Sequence, residues 1–266
     1  SRKAREGGLA GLLDPAFIAS KQAAEQKLRA AVSADARFQE ARDACDRIAA
    51  AQAVIAEHAR MYRLLEAGHG FNSEWFGVAR TILRAAEEHP KPDGERLREF
   101  RDSNRESLEL DLFSTRPVYD DYEQVRLADS LTWLVEQLGY SNPLVQRVLD
   151  GKSPRQRALD LVRGTTVKDV ARRKALYNGG KSVVDAASDP MIDLARSIDT
   201  EARALRKTLE TQDEIKRQAH AQIAKARFAI DGASTYPDAT FTLRLAFGQV
   251  KGYEEAGRHV PFQTTF

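Results

Sequence analysis

Four times in this 266-residue chain a short polar residue stands directly before proline: Asp14-Pro15, Asn142-Pro143, Ser153-Pro154 and Asp189-Pro190. Each pair reads as a helix start. The side-chain oxygen of the first residue satisfies free amides of the opening turn, and proline fits there because its missing N–H would have had no partner. Matching stops follow at Gly68, Gly139, Gly151, Gly164 and Gly232. A chain punctuated in this way leaves little length for a sheet. The expected fold class is mainly α, a multi-helix domain with long antiparallel helices.

The caps predict a helix over residues 14–32 and a very long one over 35–66. The next opens at Asn72 or Ser73 and ends before Pro90, and another carries Leu97, Phe100, Leu108 and Leu112. Shorter helices then run from Asp120 or Asp121 to Gly139, from Asn142 to Gly151, from Ser153 to Gly164, and from Thr165 or Thr166 to Asn178-Gly179. A last helical region starts at Asp189-Pro190, breaks near Asp199 and continues to Ile230. In it Ala202, Leu205, Leu209, Gln212, Lys216, Ala219, Ile223, Ala226 and Ile230 form a heptad-like stripe with a polar middle. That pattern describes a strut leaving the core partway along. Its natural antiparallel partner is the helix over 35–66, whose alanines (Ala49, Ala50, Ala51, Ala53, Ala56) permit close approach.

From Tyr236 the period changes. Phe241, Leu243, Leu245 and Phe247 alternate with Thr240, Thr242, Arg244 and Ala246, the two-residue repeat of a half-buried strand. A strand needs neighbours, and the preceding text offers almost none. The expectation is therefore a short C-terminal β-hairpin or an orphan strand at the edge of a larger domain. The division predicted is a helical domain over 1–234 and a β segment over 235–266, joined by a hinge at residues 232–236.

Charge narrows the function. Lys plus Arg number 41 and Asp plus Glu 39, a net charge of +2, which argues against a dedicated nucleic-acid binder. No apolar run is long enough to cross a bilayer, and no secretory signal is present. The one cysteine, Cys45, cannot form an internal disulfide and reads as a buried thiol.

The chemistry-bearing patterns are weak. Asn178-Gly179-Gly180-Lys181-Ser182 resembles the end of a phosphate loop, but Ala175 stands where its first glycine belongs and no strand precedes it. The five histidines are scattered and form no zinc-hydrolase pair. Asp120-Asp121 at a helix start and Glu87-Glu88 at a solvated helix end read as structural. Trp75 and Trp133 read as core, with walls of a ligand cleft as the alternative. No serine lies in a nucleophile elbow. Neither a metal nor an organic cofactor is expected.

Several long stretches share one likeness: GFNSEWFGVARTILRAAEE at 70–88, RLREFRDSNRESLELDLFSTRPVYDD at 96–121, LADSLTWLVEQLG at 127–139, DPMIDLARSID at 189–199, KARFAI at 225–230 and YPDATFTLRLAFGQVKGY at 236–253. In order, they resemble the bacterial dipeptidyl-peptidase 7 and 11 family. That resemblance implies a serine peptidase with a chymotrypsin-like double β-barrel and an inserted helical domain. It implies that this chain is the helical domain plus the first strands of the second barrel, with the catalytic Ser, His and Asp outside it. The helical domain of the family closes over the cleft and supplies an asparagine for the substrate's free amine. Asn72 is the candidate here, with a position upstream of Ser1 and a plain helix cap as alternatives. Oligopeptide substrates, the rest of the barrel and a homodimeric copy are the partners implied, in a periplasmic or secreted setting. The rival reading from another class is a stand-alone helical interaction module.

Overall fold

The computed structural model describes residues 8, 10, 11, 13–232 and 248–263. Nine α-helices and one two-stranded sheet occur among them. They are α1 (Pro15–Ala34), α2 (Ala44–Leu65), α3 (Glu74–Glu88), α4 (Asp102–Leu112), α5 (Asp120–Leu138), α6 (Pro143–Leu149), α7 (Pro154–Gly164), α8 (Val170–Asp185) and α9 (Pro190–Asp231), then β1 (Tyr253–Glu255) and β2 (Arg258–Val260). The mainly helical fold with a short C-terminal hairpin is as expected. The strand predicted at 240–247 and most of the predicted hinge lie outside the described residues. Gly232 itself ends α9 at φ 68°.

All four residue–proline pairs open helices, and each polar side chain accepts from an amide of the first turn. Asp189 does more. Its buried carboxylate takes the N–H of Met191 at 2.9 Å and of Ile192 at 3.3 Å, and also the Thr165 and Thr166 hydroxyls. Those threonines were expected to start a helix. They are instead the far side of the α9 cap, and α8 starts later, capped by Asp169. The end of α8 also differs. The helix passes Asn178-Gly179 and kinks at Gly180, whose φ of 66° only glycine adopts without strain, before a last turn to Asp185.

Three further boundaries depart from expectation. The long helix over 35–66 is really a 3₁₀ segment (Ala36–Ala41) followed by α2. Asp35 holds the Arg37 N–H at 2.9 Å, and Phe38 at φ −105°, ψ 23° interrupts the helix. Leu97 and Phe100 both precede α4: Leu97 is the N-cap and Phe100 the last residue of a 3₁₀ turn (Arg98–Phe100), which the extended Arg101 separates from α4. The break predicted near Asp199 is absent, and α9 runs unbroken for 42 residues. Asp199 points inward to the guanidinium groups of Arg84 and Arg203, at 2.6 Å each, so its polarity is absorbed by partners.

The core is built around α3. Trp75, Phe76, Val78, Ala79, Ile82, Leu83, Ala85 and Ala86 are all buried, so α3 is covered on nearly every side by α8, α9 and their neighbours. Leu127, Leu131 and Leu134 of α5 face Leu161 and Val162 of α7 in the same cluster. Each such side chain contributes about 1.5–3 kcal/mol on burial. Trp133 packs half-buried against this cluster.

Beyond the core, α2 and α9 run antiparallel as a pair. Arg47 hydrogen-bonds Gln222 near one end, and Arg206 lies 3.5 Å from Glu66 near the other. That register sets Ala44 opposite Ala226 and Ala51 opposite Ala219, four alanines that are all buried. The other alanines expected at this seam (Ala49, Ala50, Ala53, Ala56) face solvent. Gln212 and Lys216 are half-buried, forming the polar waist, and a second, small cluster lies past it: Leu28, Val32 and Ala226, with Phe38, Ala41 and Ile223. Cys45 is half-buried rather than buried. In the hairpin, Tyr253 pairs with Val260 and Glu255 with Arg258 across a two-residue Ala256-Gly257 turn.

Candidate functional site around Asn72

A tight turn puts Asn72 at the surface. After α2 the chain passes Gly68 into a 3₁₀ turn, His69–Phe71. A Cβ at Gly70 would sit 3.1 Å from the Leu64 carbonyl and 3.3 Å from Leu134 Cδ1, so a larger residue would have to push these neighbours back by a few tenths of an ångström. Phe71 is buried and stacks on Phe76 with ring centroids 4.8 Å apart. Pinned there, the backbone turns outward at Asn72 and enters α3 at Ser73, the N-cap residue.

Neither Asn72 nor Ser73 caps α3 with its own side chain. The cap is Glu123 of α5, a carboxylate 1% exposed. One of its oxygens accepts the Ser73 hydroxyl at 2.7 Å and the Glu74 N–H at 2.6 Å. The other accepts Arg126 Nη1 at 2.8 Å. Arg126 then donates Nη2 to Asn72 Oδ1 at 2.7 Å, while its guanidinium lies 5.3 Å from the Tyr122 ring centroid. Asn72's own N–H donates to Ser130 Oγ at 3.0 Å. No spacing rule links residue 72 to residues 123, 126 and 130, so sequence reasoning missed this network. Its one local signal was an i, i+3 Glu–Arg pair on α5.

Beside Ser73 a groove of about 290 Å³ opens between α3 and α4. Its charged lining is Arg80, Arg116 and Arg126 against Glu74 and Asp111. Arg116 pairs with Glu74. Arg80 bonds only carbonyls, those of Leu65 at 3.2 Å and Glu66 at 2.8 Å, and burial lowers its pKa.

The expected acidic pairs separate. Asp120 ion-pairs with Lys168 at the start of α5. Glu87 is half-buried, but Glu88 is fully buried, contrary to the solvated helix end expected. Burial opposes its charge, yet hydrogen bonds from Lys91, the Leu97 N–H and Arg203 outweigh it and hold its pKa below the usual range. Glu88 belongs to a buried ionic web in which Arg84 grips Glu66 and Asp199, and Arg203 joins Asp199 to Glu88.

A model of the family described as Peptidase S46 matches residues 1–266. The chain belongs to the peptidase S46 family. Its place is thus among the proteolytic hydrolases, in the family with the dipeptidyl-peptidases that the sequence resembles.

Three histidines of this S46 chain have defined partners. His58 Nδ1 meets the Val54 carbonyl at 2.9 Å, and His259 Nδ1 meets Glu254 at 2.9 Å. His89 is packed among the rings of Phe100 and Tyr177. Tyr177 donates its hydroxyl to Glu109 at 3.2 Å, so the His89 Nε2, 3.3 Å from the same oxygen, must carry hydrogen and donate. Burial, then Glu109, pushes the Tyr177 pKa up to about 12. Burial lowers that of His89, with Arg105 and Arg96 adding to the effect. Among the described residues no group of three or more His, Cys, Asp or Glu is placed to hold a metal ion, and no helix is long and apolar enough to cross a membrane. The phosphate-loop likeness resolves into the Gly180 kink, with Lys181 paired to Asp185 at 2.8 Å.

Proposed function

We propose that residues 1–234 are the helical cap of a serine dipeptidyl-peptidase that removes dipeptides from the amino end of oligopeptides, and that 235–266 lead into its catalytic barrel. The observation that carries this reading is the S46 match along a chain whose described residues are mainly helical. A rigid helical layer suits such an enzyme. An exopeptidase must measure a fixed distance from a charged amine, so the far side of its cleft has to be closed. Closure also excludes water and completes the substrate contacts.

On this reading the Ser–His–Asp chemistry, in which His takes the serine proton and backbone amides hold the oxyanion, belongs to the barrel. The partners are oligopeptides, the barrel and a second copy of the chain. The setting is periplasmic or secreted. Asn72 is the proposed substrate contact of the cap. The test is direct: the purified 266-residue chain, offered dipeptidyl fluorogenic substrates, releases no fluorophore. Turnover by the chain alone overturns the proposal.

A further inference from the structure

The side of α5 away from Leu127, Leu131 and Leu134 carries a stripe that nothing covers. Asp121, Val125 and Asp129 follow one another at four-residue steps, and all three are exposed, Val125 by 67%. Each step is about 6 Å along the helix, so the two carboxylates stand about 12 Å apart with the valine between them. Beside the stripe, α5 and α7 leave a groove of about 830 Å³, with the half-buried Ala128 and Leu159 in its lining.

The charges here have to be counted by partner. Asp120 is taken by Lys168, Glu123 by Arg126 and Asp160 by Lys152. Asp121 and Asp129 pair with no cation among the described residues, and the Asp121 carboxylate accepts only the N–H of Tyr122, at 2.9 Å. Arg155, the one cation lining the groove, is also without a carboxylate. Two free carboxylates thus stand against one free guanidinium, and the excess is a single charge. Selectivity comes from the spacing instead. Carboxylates about 12 Å apart cannot share one metal ion, whose oxygen ligands lie within about 2.6 Å of it. They suit a ligand with two cations and an apolar group midway.

An extended chain has that pattern. Its same-side residues are about 6.7 Å apart, close to the step of the stripe. A short peptide is marginal as a helix in water and reaches the groove extended. Its carbonyls offer acceptors to Arg155, which can only donate.

We infer that the α5–α7 groove binds an extended peptide with Lys or Arg at positions i and i+4 and an apolar residue at i+2. The cations meet Asp121 and Asp129, and the apolar side chain covers Val125. The inference rests on the peptidase reading for its choice of a peptide ligand.

The experiment titrates the full 266-residue chain with three pentapeptides, acetylated and amidated so that neither terminus is charged, and follows amide chemical shifts. Leucine stands in the middle, and the first and last residues are both lysine, both glutamine or both glutamate. The lysine peptide should bind about tenfold tighter than the glutamine one at an ionic strength of about 0.01 M, and about twofold tighter at 1 M. The shifts should fall on α5 and α7. Asp121→Asn combined with Asp129→Asn, checked to melt like the wild type, should erase the margin. Equal affinity for the lysine and glutamine peptides at low salt overturns the inference and needs no variant. Tightest binding of the glutamate peptide overturns it in favour of Arg155, and a margin that survives in the double variant overturns it by placing the cations elsewhere. Dipeptidyl turnover by the isolated chain would overturn the proposed function and leave this result standing.

Discussion

The chain contains two helical regions built on the same period but with different side chains. In the body, bulky residues such as Phe76, Ile82, Leu127, Leu131 and Leu161 are buried, and buried charges are tied into a web. In the arm beyond the waist, the α2–α9 seam is made of Ala44, Ala51, Ala219 and Ala226, and Ala226 packs with five further apolar residues in a small cluster. Its charges pair in solvent, as Arg29 does with Glu25 and Asp46. Heptad spacing decides which faces meet. Side-chain volume decides how firmly they hold, because an alanine buries roughly three methylenes fewer than a leucine, each worth about 0.8 kcal/mol.

The sharpest way to break this comparison is at the web. Arg84→Met strands the Glu66 and Asp199 carboxylates in the interior and should cost about 3–5 kcal/mol in urea unfolding. Neutralising those two carboxylates in the same variant should restore much of the loss. A change under about 1 kcal/mol would mean the web is solvated after all. Next, Leu131→Ala in the body should cost about 2–5 kcal/mol, whereas Leu28→Ala in the arm's cluster should cost roughly half that or less. Equal losses would erase the distinction between the two regions.

The alanine seam gives a third handle. Ala219→Leu overfills it and should cost about 1–3 kcal/mol. Hydrogen exchange should then speed up in α2 and the distal half of α9, and stay unchanged in α5 and α7. Acceleration throughout would show that arm and body open as one unit.

The smallest effect concerns acid. Burial, with Arg105 and Arg96, holds the His89 pKa below its ordinary value near 6.5. The unfolded chain therefore takes up this proton first, so stability is full above about pH 6.5 and declines as pH falls toward the folded value. His89→Gln should flatten part of that decline in calorimetric melts between pH 7.5 and 5. An unaltered slope would assign the acid sensitivity to other groups.

Much of the fold could be read from local chemistry. The four residue–proline caps and the stops at Gly139 and Gly232 were legible because each acts within a few residues of itself. So was the α9 stripe as far as Ala226, with its polar waist at Gln212 and Lys216, whereas Ile230, expected as its last member, is exposed. What failed was long-range. Asp199 reads as a helix breaker until Arg84 and Arg203 are seen around it. Thr165 and Thr166 read as caps of the following helix until Asp189 claims them. Glu88 reads as solvated until Arg203 covers it. The Asn72 site failed in the same way. Its residue was picked out, but the partners that fix its orientation sit on α5, about fifty positions away.

The unbroken α9 has a mechanical consequence. It is tied to the body through Asp199 to Arg84, Arg203 to Glu88 and Arg206 to Glu99, and some 25 residues extend past Arg206, about 38 Å at 1.5 Å per residue. A helix of that length acts as a lever with its fulcrum in the body. A tilt of about 5° at those ties carries the far end through roughly 3 Å, most of a side-chain contact distance. Rearrangements too small to disturb the packing around α3 are therefore large where Gly232 hands the chain on.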